Sequence, residues 1–364
     1  MTDVNPGKEP RFADQQRRTL VGWLGCVLVL LTWPMIWVGG LVTTYDAGMS
    51  VPDWPGTYGY NLLLYPVSTW LFGPFDLFIE HGHRLLGATI GFIAIGFLIA
   101  AWRLDARRWV VALALFVLLA VIGQGILGGL RVTQSARTLA MVHGCTATAF
   151  FGLCVFAAMV TGPKWMSERL RSESMGNNSR LTKPSFLGPI LVMFLAYGQL
   201  ILGAQLRHVS PMTSATGFGH VAATHVTLAF ALWLATIIIH WTTRRRYSPL
   251  ANYSMTLIIL VGAQIALGIA TWIVNYGFPA MLKSLPGSDR LLLQSKDLID
   301  AAIVTGHVAI GSMIFAVATA FTIRTARCRW LASKIARPAD SWSTEEGHLE
   351  EAANRSEVSR LQPA

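Results

Sequence analysis

The chain has 364 residues, of which 53% are hydrophobic and only 13% charged. Soluble domains carry about 25% charged residues, so this composition excludes a water-soluble protein, and a mean hydropathy of +0.48 points to an integral membrane protein. The net charge of +10 does not indicate nucleic-acid binding, because the arginines are not interleaved with stacking aromatics on a soluble domain.

Apolar windows of about 20 residues cross a bilayer core. They predict an all-α integral membrane protein with eight transmembrane helices, near 20–42, 80–102, 109–130, 138–161, 186–206, 217–241, 251–275 and 299–323. The N-terminal tail 1–19 is basic but has no apolar run ending in a small-residue cleavage site, so the first span is expected to be a retained helix rather than a removed signal peptide. The long 43–79 loop contains no Lys or Arg, whereas the tail 1–19, the segments 103–108, 162–185 and 243–249, and the stretch from 324 onward hold 22 of the 29 basic residues. Basic loops are retained in the cytoplasm, so both termini are expected there and the 43–79 loop outside. Cys26, Cys145 and Cys154 lie in spans and Cys328 at the reducing side, and no disulfide is expected. The end of the chain, 324–364, becomes polar and acidic and reads as a disordered cytoplasmic tail.

A repeat organises the spans. Odd-numbered spans carry small residues, joined by an amide in the three later copies: Gly39-Gly40, then Gly123-Gln124 with Gly128-Gly129, Gly198-Gln199 with Gly203, and Gln264 with Gly268. Gln followed by Gly at i+4 places an amide and a gap in volume on one helix face. Even-numbered spans carry His followed by a small residue at i+4: His83 and Gly87, His143 and Ala147, His225 and Ala229, His307 and Gly311. A flat porphyrin needs such relief one turn from its ligand. Two similar four-helix bundles are therefore expected, 20–161 and 186–323, joined by a basic linker at 162–185, with the second entering the membrane in the same orientation as the first.

Histidine at membrane depth serves to hold a metal, relay a proton or satisfy a partner. Bundles build sites from inward side chains on facing helices, which pairs His83 with His143 and His225 with His307, each pair suited to haem iron. His220 competes with His225, since it lies about 140° away on the same helix. The small residue Ala229 and the aromatic Trp233, matching Phe151 and Phe315, favour His225, while loop length from Arg207, compared with Arg131 to His143, favours His220. His81 reads as interfacial, and His208, His240 and His348 as boundary or tail residues.

Glu80 lies three residues before His83, on the same helix face at the outer mouth. A carboxylate there can accept a proton or stabilise positive charge, or it can simply complement the helix dipole. The second half has no acid three residues before His220 or His225, so one site reads as reactive and the other as supportive. Arg84, Arg131 and Arg207 lie at outer helix ends, placed to pair with haem propionates or to snorkel to the interface.

The run Glu80-x-x-His83-Arg84, with Gly39-Gly40-Leu41-Val42-Thr43 leading to Gly48-Met49-Ser50-Val51-Pro52-Asp53-Trp54-Pro55, resembles the haem A synthase family, also called the COX15/CtaA family. The resemblance covers essentially the whole membrane portion. It implies oxidation of a methyl group of haem O to a formyl group, giving haem A for cytochrome oxidase in a bacterial inner membrane. It further implies a substrate haem between His83 and His143, a haem b cofactor between His225 and His307, Glu80 in the chemistry, and contact with haem O synthase (protohaem farnesyltransferase) and oxidase assembly factors. Two departures stand out. Val51 and Gly56 or Thr57 occupy the places of a cysteine pair common in bacterial members, and the sixth span lacks the His-Arg dipeptide usual at the second-half ligand. A di-haem cytochrome b that moves electrons without modifying haem is the alternative. A transporter fits less well, because no span is evidently broken at mid-membrane.

Overall fold

The computed structural model describes residues 9–165, 185–210, 212–246, 248–277 and 298–335. Eight long helices dominate: α1 (Glu9–Thr44), α2 (Phe75–Leu104), α3 (Arg108–Thr133), α4 (Arg137–Thr161), α5 (Leu187–Arg207), α6 (Ala215–Arg246), α7 (Ser248–Tyr276) and α8 (Leu298–Ile335). Each contains a stretch long and apolar enough to cross a bilayer, in agreement with the eight spans read from the sequence, but α8 continues to Ile335, so residues 324–335 are helical rather than part of a disordered tail. Such helices satisfy every backbone polar group internally, as a lipid surround requires. Most of the 162–185 linker, the tail beyond Ile335 with His348, and residues 1–8 lie outside the described residues.

The turns between helices are fixed by charge. Between α2 and α3, Asp105 accepts from the backbone N–H of Arg107 at 3.0 Å and from its guanidinium at 2.6 and 2.9 Å, while the same guanidinium donates to the Val160 carbonyl of α4 at 3.0 Å. One buried carboxylate therefore joins three helix ends at the side expected to be cytoplasmic.

Burial follows the repeat. One core gathers Leu28, Ile90, Phe97, Val117, Phe150 and Cys154 from α1 to α4, and another Val192, Leu232, Leu257, Ile314 and Phe321 from α5 to α8. A smaller cluster of Ile36, Phe151 and Ala316 ties α1 and α4 to α8. The indoles of Trp33 and Trp37 in α1 donate to the Ala309 carbonyl and to Thr305 Oγ1 of α8, each at 3.1 Å, and Phe315 of α8 fits against Gly152 of α4. Buried donors need partners where water is absent, so these indoles set how α1 and α8 register. Large apolar side chains such as Trp23, Leu30, Phe116, Phe194 and Ile259 remain exposed, as lipid-facing positions should.

The connection from α1 to α2 folds back onto the N-terminal end of α2. It contains a 3-10 turn at Ala47–Met49 and a short helix at Val67–Leu71. Ser50 Oγ donates to Asp76 at 2.9 Å, the Val51 N–H donates to Glu80 at 2.9 Å, and Thr57 Oγ1 lies 3.1 Å from His81 Nδ1. Asp53 accepts from the backbone N–H of Tyr58 at 2.8 Å and of Gly59 at 2.9 Å. Both of these residues have positive φ, 49° and 79°, which Gly59 adopts without a Cβ penalty. Burial raises the Asp53 carboxyl, but the N–H donors of Gly59 and Tyr58, with Arg84 nearby, more than offset this and hold it below the usual carboxylate value.

Candidate functional site

A cavity of about 1640 Å³ runs through one end of the helical bundle and is lined by His83, His143, His225 and His307 together. It exceeds the roughly 300–1,000 Å³ of an ordinary ligand pocket, so it has room for more than one bulky group.

Each histidine is set by the same local device. A glycine on the neighbouring odd-numbered helix faces the imidazole edge: a Cβ added at Gly39 would lie 2.9 Å from Cε1 of His83, at Gly128 3.4 Å from that of His143, at Gly203 3.2 Å from that of His225, and at Gly268 3.1 Å from that of His307. Four residues before each glycine, the backbone carbonyls of Met35, Gln124, Gln199 and Gln264 approach the corresponding rings. These contacts stop short of hydrogen-bond geometry at Nδ1, which is buried in all four rings. With Nδ1 buried against the neighbouring helix, Nε2 is the nitrogen left to act as a ligand. The Gln-to-Gly spacing seen in the sequence is thus a seat for imidazole, with Met35 replacing Gln in the first copy.

The structure brings His225, not His220, against His307. Their ring centroids are 6.3 Å apart with planes at 64°, whereas His220 is exposed and its carbonyl accepts from Thr224 one turn on. Metal–imidazole bonds run about 2.0–2.1 Å, so two such bonds with the inner halves of both rings fill a spacing of this size. The side-chain amides of Gln199 and Gln264 donate to the backbone carbonyls of His225 and His307, each at 2.8 Å, which fixes the depth of both histidines. Among the described residues no group of three or more His, Cys, Asp or Glu side chains could hold a bare metal ion. Pairs of imidazoles fit an ion whose remaining ligands come from a macrocycle.

Gly87, Ala147, Ala229 and Gly311 all line the cavity. Gly87 and Gly311 also have a role that porphyrin relief does not cover. A Cβ on Gly311 would come within 3.1 Å of Gln264 Nε2, and one on Gly87 within 3.1 Å of Met35 Cε. Their smallness admits the side chain that completes the seat.

Glu80 lines the first-half end of the cavity and is 3% exposed. One oxygen accepts from the Val51 N–H and the other from Arg84, the latter at 2.8 Å. Arg84 lines the cavity as well. Its two terminal nitrogens donate to the carbonyls of Val51 at 2.7 Å, Asp53 at 2.7 Å and Gly56 at 2.8 Å as well as to Glu80, so the guanidinium clamps the outer loop to α2. The clamped loop brings Trp54 and Pro55 to the cavity wall, with the indole packed directly on Gly129 of α3, where any Cβ would overlap it. Arg131 lines the cavity and lies against Gly48, which has no Cβ to obstruct it. Arg207 donates to the Gly40 carbonyl and to Thr44 Oγ1, each at 2.7 Å, tying α5 to α1.

Three further residues differ from the sequence reading. His81 is fully buried rather than interfacial, held between Tyr65 and Trp70 at 5.1 Å from each ring. His208 lines the cavity; burial, followed by the charges of Arg207, Arg131 and Arg137, pushes its pKa down to about 4. Asp300 also lines the cavity and is 7% exposed. The second half therefore has an acid of its own, on α8 rather than α6, and it was legible as the carboxylate two turns before His307.

These features define a multi-pass helical membrane protein with paired histidines facing a shared cavity on one side of the bilayer. Residues 22–285 match the COX15-CtaA family, described as a cytochrome oxidase assembly protein, and the chain belongs to that haem A synthase family. It is 26% identical over 290 residues to the Heme A synthase of Halalkalibacterium halodurans, covering 72% of this chain and 88% of that protein. It is also 26% identical over 201 residues to the Heme A synthase of Shewanella oneidensis, covering 50% of this chain and 55% of the relative. A third Heme A synthase, from Lysinibacillus sphaericus, is 22% identical over 158 residues, 41% of this chain and 47% of the relative.

Proposed function

We propose that this protein oxidises a methyl group of haem O to a formyl group, producing haem A for cytochrome oxidase. The observation that carries the proposal is Glu80, a buried carboxylate in the cavity wall three residues from His83, with no counterpart at the matching place of α6. In this reading His83 and His143 bind the iron of the substrate, and His225 and His307 hold a haem b cofactor. A haem b held there would supply one-electron transfer between the substrate and an external acceptor. Arg131 attracts the substrate's carboxylates, and the loop clamped by Arg84 excludes water above the first site.

Glu80 is positioned to take the proton that leaves the reacting carbon. Arg84 and the Val51 N–H each donate to one of its oxygens, so the base is held in place before substrate arrives. Conversion of a methyl to a formyl group with water as the oxygen source releases four protons and four electrons, so both a proton acceptor and an electron exit are required.

The basic-residue bias supports a bacterial inner-membrane protein with both termini in the cytoplasm and the cavity toward the outside. Reporters fused after residue 70 and after residue 175 should be active outside and inside respectively. Haem O synthase and oxidase assembly factors are the partners that supply substrate and receive product in this reading.

Chromatography of the non-covalent haem extracted from purified protein tests the function. Haem O, a hydroxylated haem or haem A beside haem b is expected, and Glu80→Gln should accumulate haem O with a rate loss of about 10²–10⁴-fold. Two identical haems b, with product formation indifferent to Glu80→Gln, would instead identify an electron-carrying cytochrome.

A further inference from the structure

The outer mouth of the second half has chemistry that the histidine seats do not explain. Counting seven residues outward from His225, Gly268 and His307 reaches Phe218, Asn275 and Asp300. At 1.5 Å per residue these form one layer about 10 Å beyond the imidazoles. In that layer Phe218 lies 6.5 Å from Trp272 with planes at 28° and 5.6 Å from Tyr276, while Trp272 and Tyr276 are 4.8 Å apart. All three rings line the cavity. Asp300 and Thr271 line it too, and Oδ1 of Asp300 and Oγ1 of Thr271 are buried without a hydrogen-bond partner among the described residues. Buried polar groups without partners are costly, and two of them beside an aromatic wall describe a site that a ligand completes.

The chemistry narrows the ligand. The Asp300 carboxylate repels an anion, so a propionate belongs on the opposite side near Arg207, which is tied to α1. A quaternary ammonium group would suit the rings and the carboxylate but would leave the Thr271 hydroxyl unsatisfied. A flat neutral ring carrying carbonyl or hydroxyl groups satisfies all three features. Tyr276 and Ile269 are at once exposed and part of the cavity lining, which opens the site toward the lipid where such molecules dissolve.

We infer that the mouth formed by Phe218, Trp272, Tyr276, Thr271 and Asp300 binds the ring of a lipid-soluble quinone, and that this quinone is the electron acceptor. The inference rests on the reading of the second half as the electron-relaying side. The balance closes: methyl plus water gives formyl, four protons and four electrons, and two quinones take up four electrons and four protons to become two quinols. Thr271 donates a hydrogen bond to one quinone carbonyl. The Asp300 carboxylate takes up a proton from the outer aqueous side and passes it to the oxygen being reduced.

The test uses the purified holoprotein, chemically reduced and mixed anaerobically with a decyl-substituted benzoquinone, with reoxidation followed in the b-type spectrum. Saturating kinetics are expected. Asp300→Asn should slow the saturated rate by about a hundredfold, the low end of what a positioned proton donor contributes, and Thr271→Val should raise the quinone concentration needed for half-saturation. An azido-benzoquinone should label residues 268–276 of α7, a readout that needs neither haem nor turnover and that serves if either variant fails to fold. Reoxidation linear in quinone and unchanged in both variants, or labelling confined to other helices, would overturn the inference. Analysis of the extracted haem separately decides whether the protein makes haem A, so the two failures are distinguishable.

Discussion

The two ends of the cavity share a frame and differ in what lies above it. In both halves a glycine faces an imidazole edge and a backbone carbonyl four residues earlier approaches the same ring. Above the first pair sits a loop fastened by three guanidinium hydrogen bonds, with Glu80 beneath it accepting a fourth. Above the second sit three aromatic rings and the oxygens of Asp300 and Thr271 that have no hydrogen-bond partner among the described residues. The repeated part positions two imidazoles, and the unrepeated part determines what each pair is used for. A single fold element copied twice can therefore serve two roles once its outer rim diverges.

The largest effect should come from removing the repeated part. His225→Ala or His307→Ala should abolish the low-spin bis-histidine spectrum of the purified protein, and His220→Ala should leave it intact. Loss of the spectrum in His220→Ala alone would transfer ligation to the exposed residue and undo the pairing at 6.3 Å.

The second effect in size separates the halves. Removing one partner of a buried ion pair costs about 3–5 kcal/mol, and Arg84→Met also releases three loop carbonyls. The variant should lose haem A production and melt at a lower temperature in detergent while keeping the spectrum of the second site. Arg84→Lys should rescue little, because a point charge cannot reproduce the planar fork. Equal damage to both sites would mean that the outer loop is not specific to the first.

A graded effect sharpens the comparison within the repeat. Alanine at Gly39, Gly268, Gly203 and Gly128 would place Cβ at 2.9, 3.1, 3.2 and 3.4 Å from the facing Cε1. The disturbance of haem retention should decline in that order, Gly128→Ala being nearly silent. The reverse order, read from absorption of the purified variants, would show that these glycines serve helix packing rather than imidazole seating.

The smallest effect concerns acid stability. His208 stays neutral in the folded protein down to about pH 4, whereas in an unfolded chain it protonates near pH 6.5. Between those values the unfolded state binds more protons, so stability falls as pH drops through that window. His208→Gln should flatten this part of the pH dependence, measured as the change in melting temperature between pH 7 and pH 5.

The helices and histidine pairs were legible because lipid demands long apolar runs and makes every embedded imidazole conspicuous. The Gln-to-Gly spacing was legible as a pattern but not as a seat, since its working atom is a backbone carbonyl that any residue carries, as Met35 shows. The Arg84 clamp was hidden for the same reason: three of its partners are carbonyls of Val51, Asp53 and Gly56. His81 looked interfacial beside His83, and only the folded loop supplies Thr57, Tyr65 and Trp70 around it. Asp300 was overlooked because an acid was sought at Glu80's spacing on α6, whereas the cavity receives one from α8.

Helix α1 passes between the two compartments. Gly39 abuts His83, the next residue, Gly40, abuts Thr305 two positions before His307, and Arg207 grips the Gly40 carbonyl from α5. The second half cut away from α1 would lose the indole that Thr305 accepts from, the acceptors of Arg207 and part of its own floor. The protein carries the pattern of a duplication but no longer its independence: the compartment that holds Asp300 borrows a wall from the compartment that holds Glu80, and neither is a complete vessel alone.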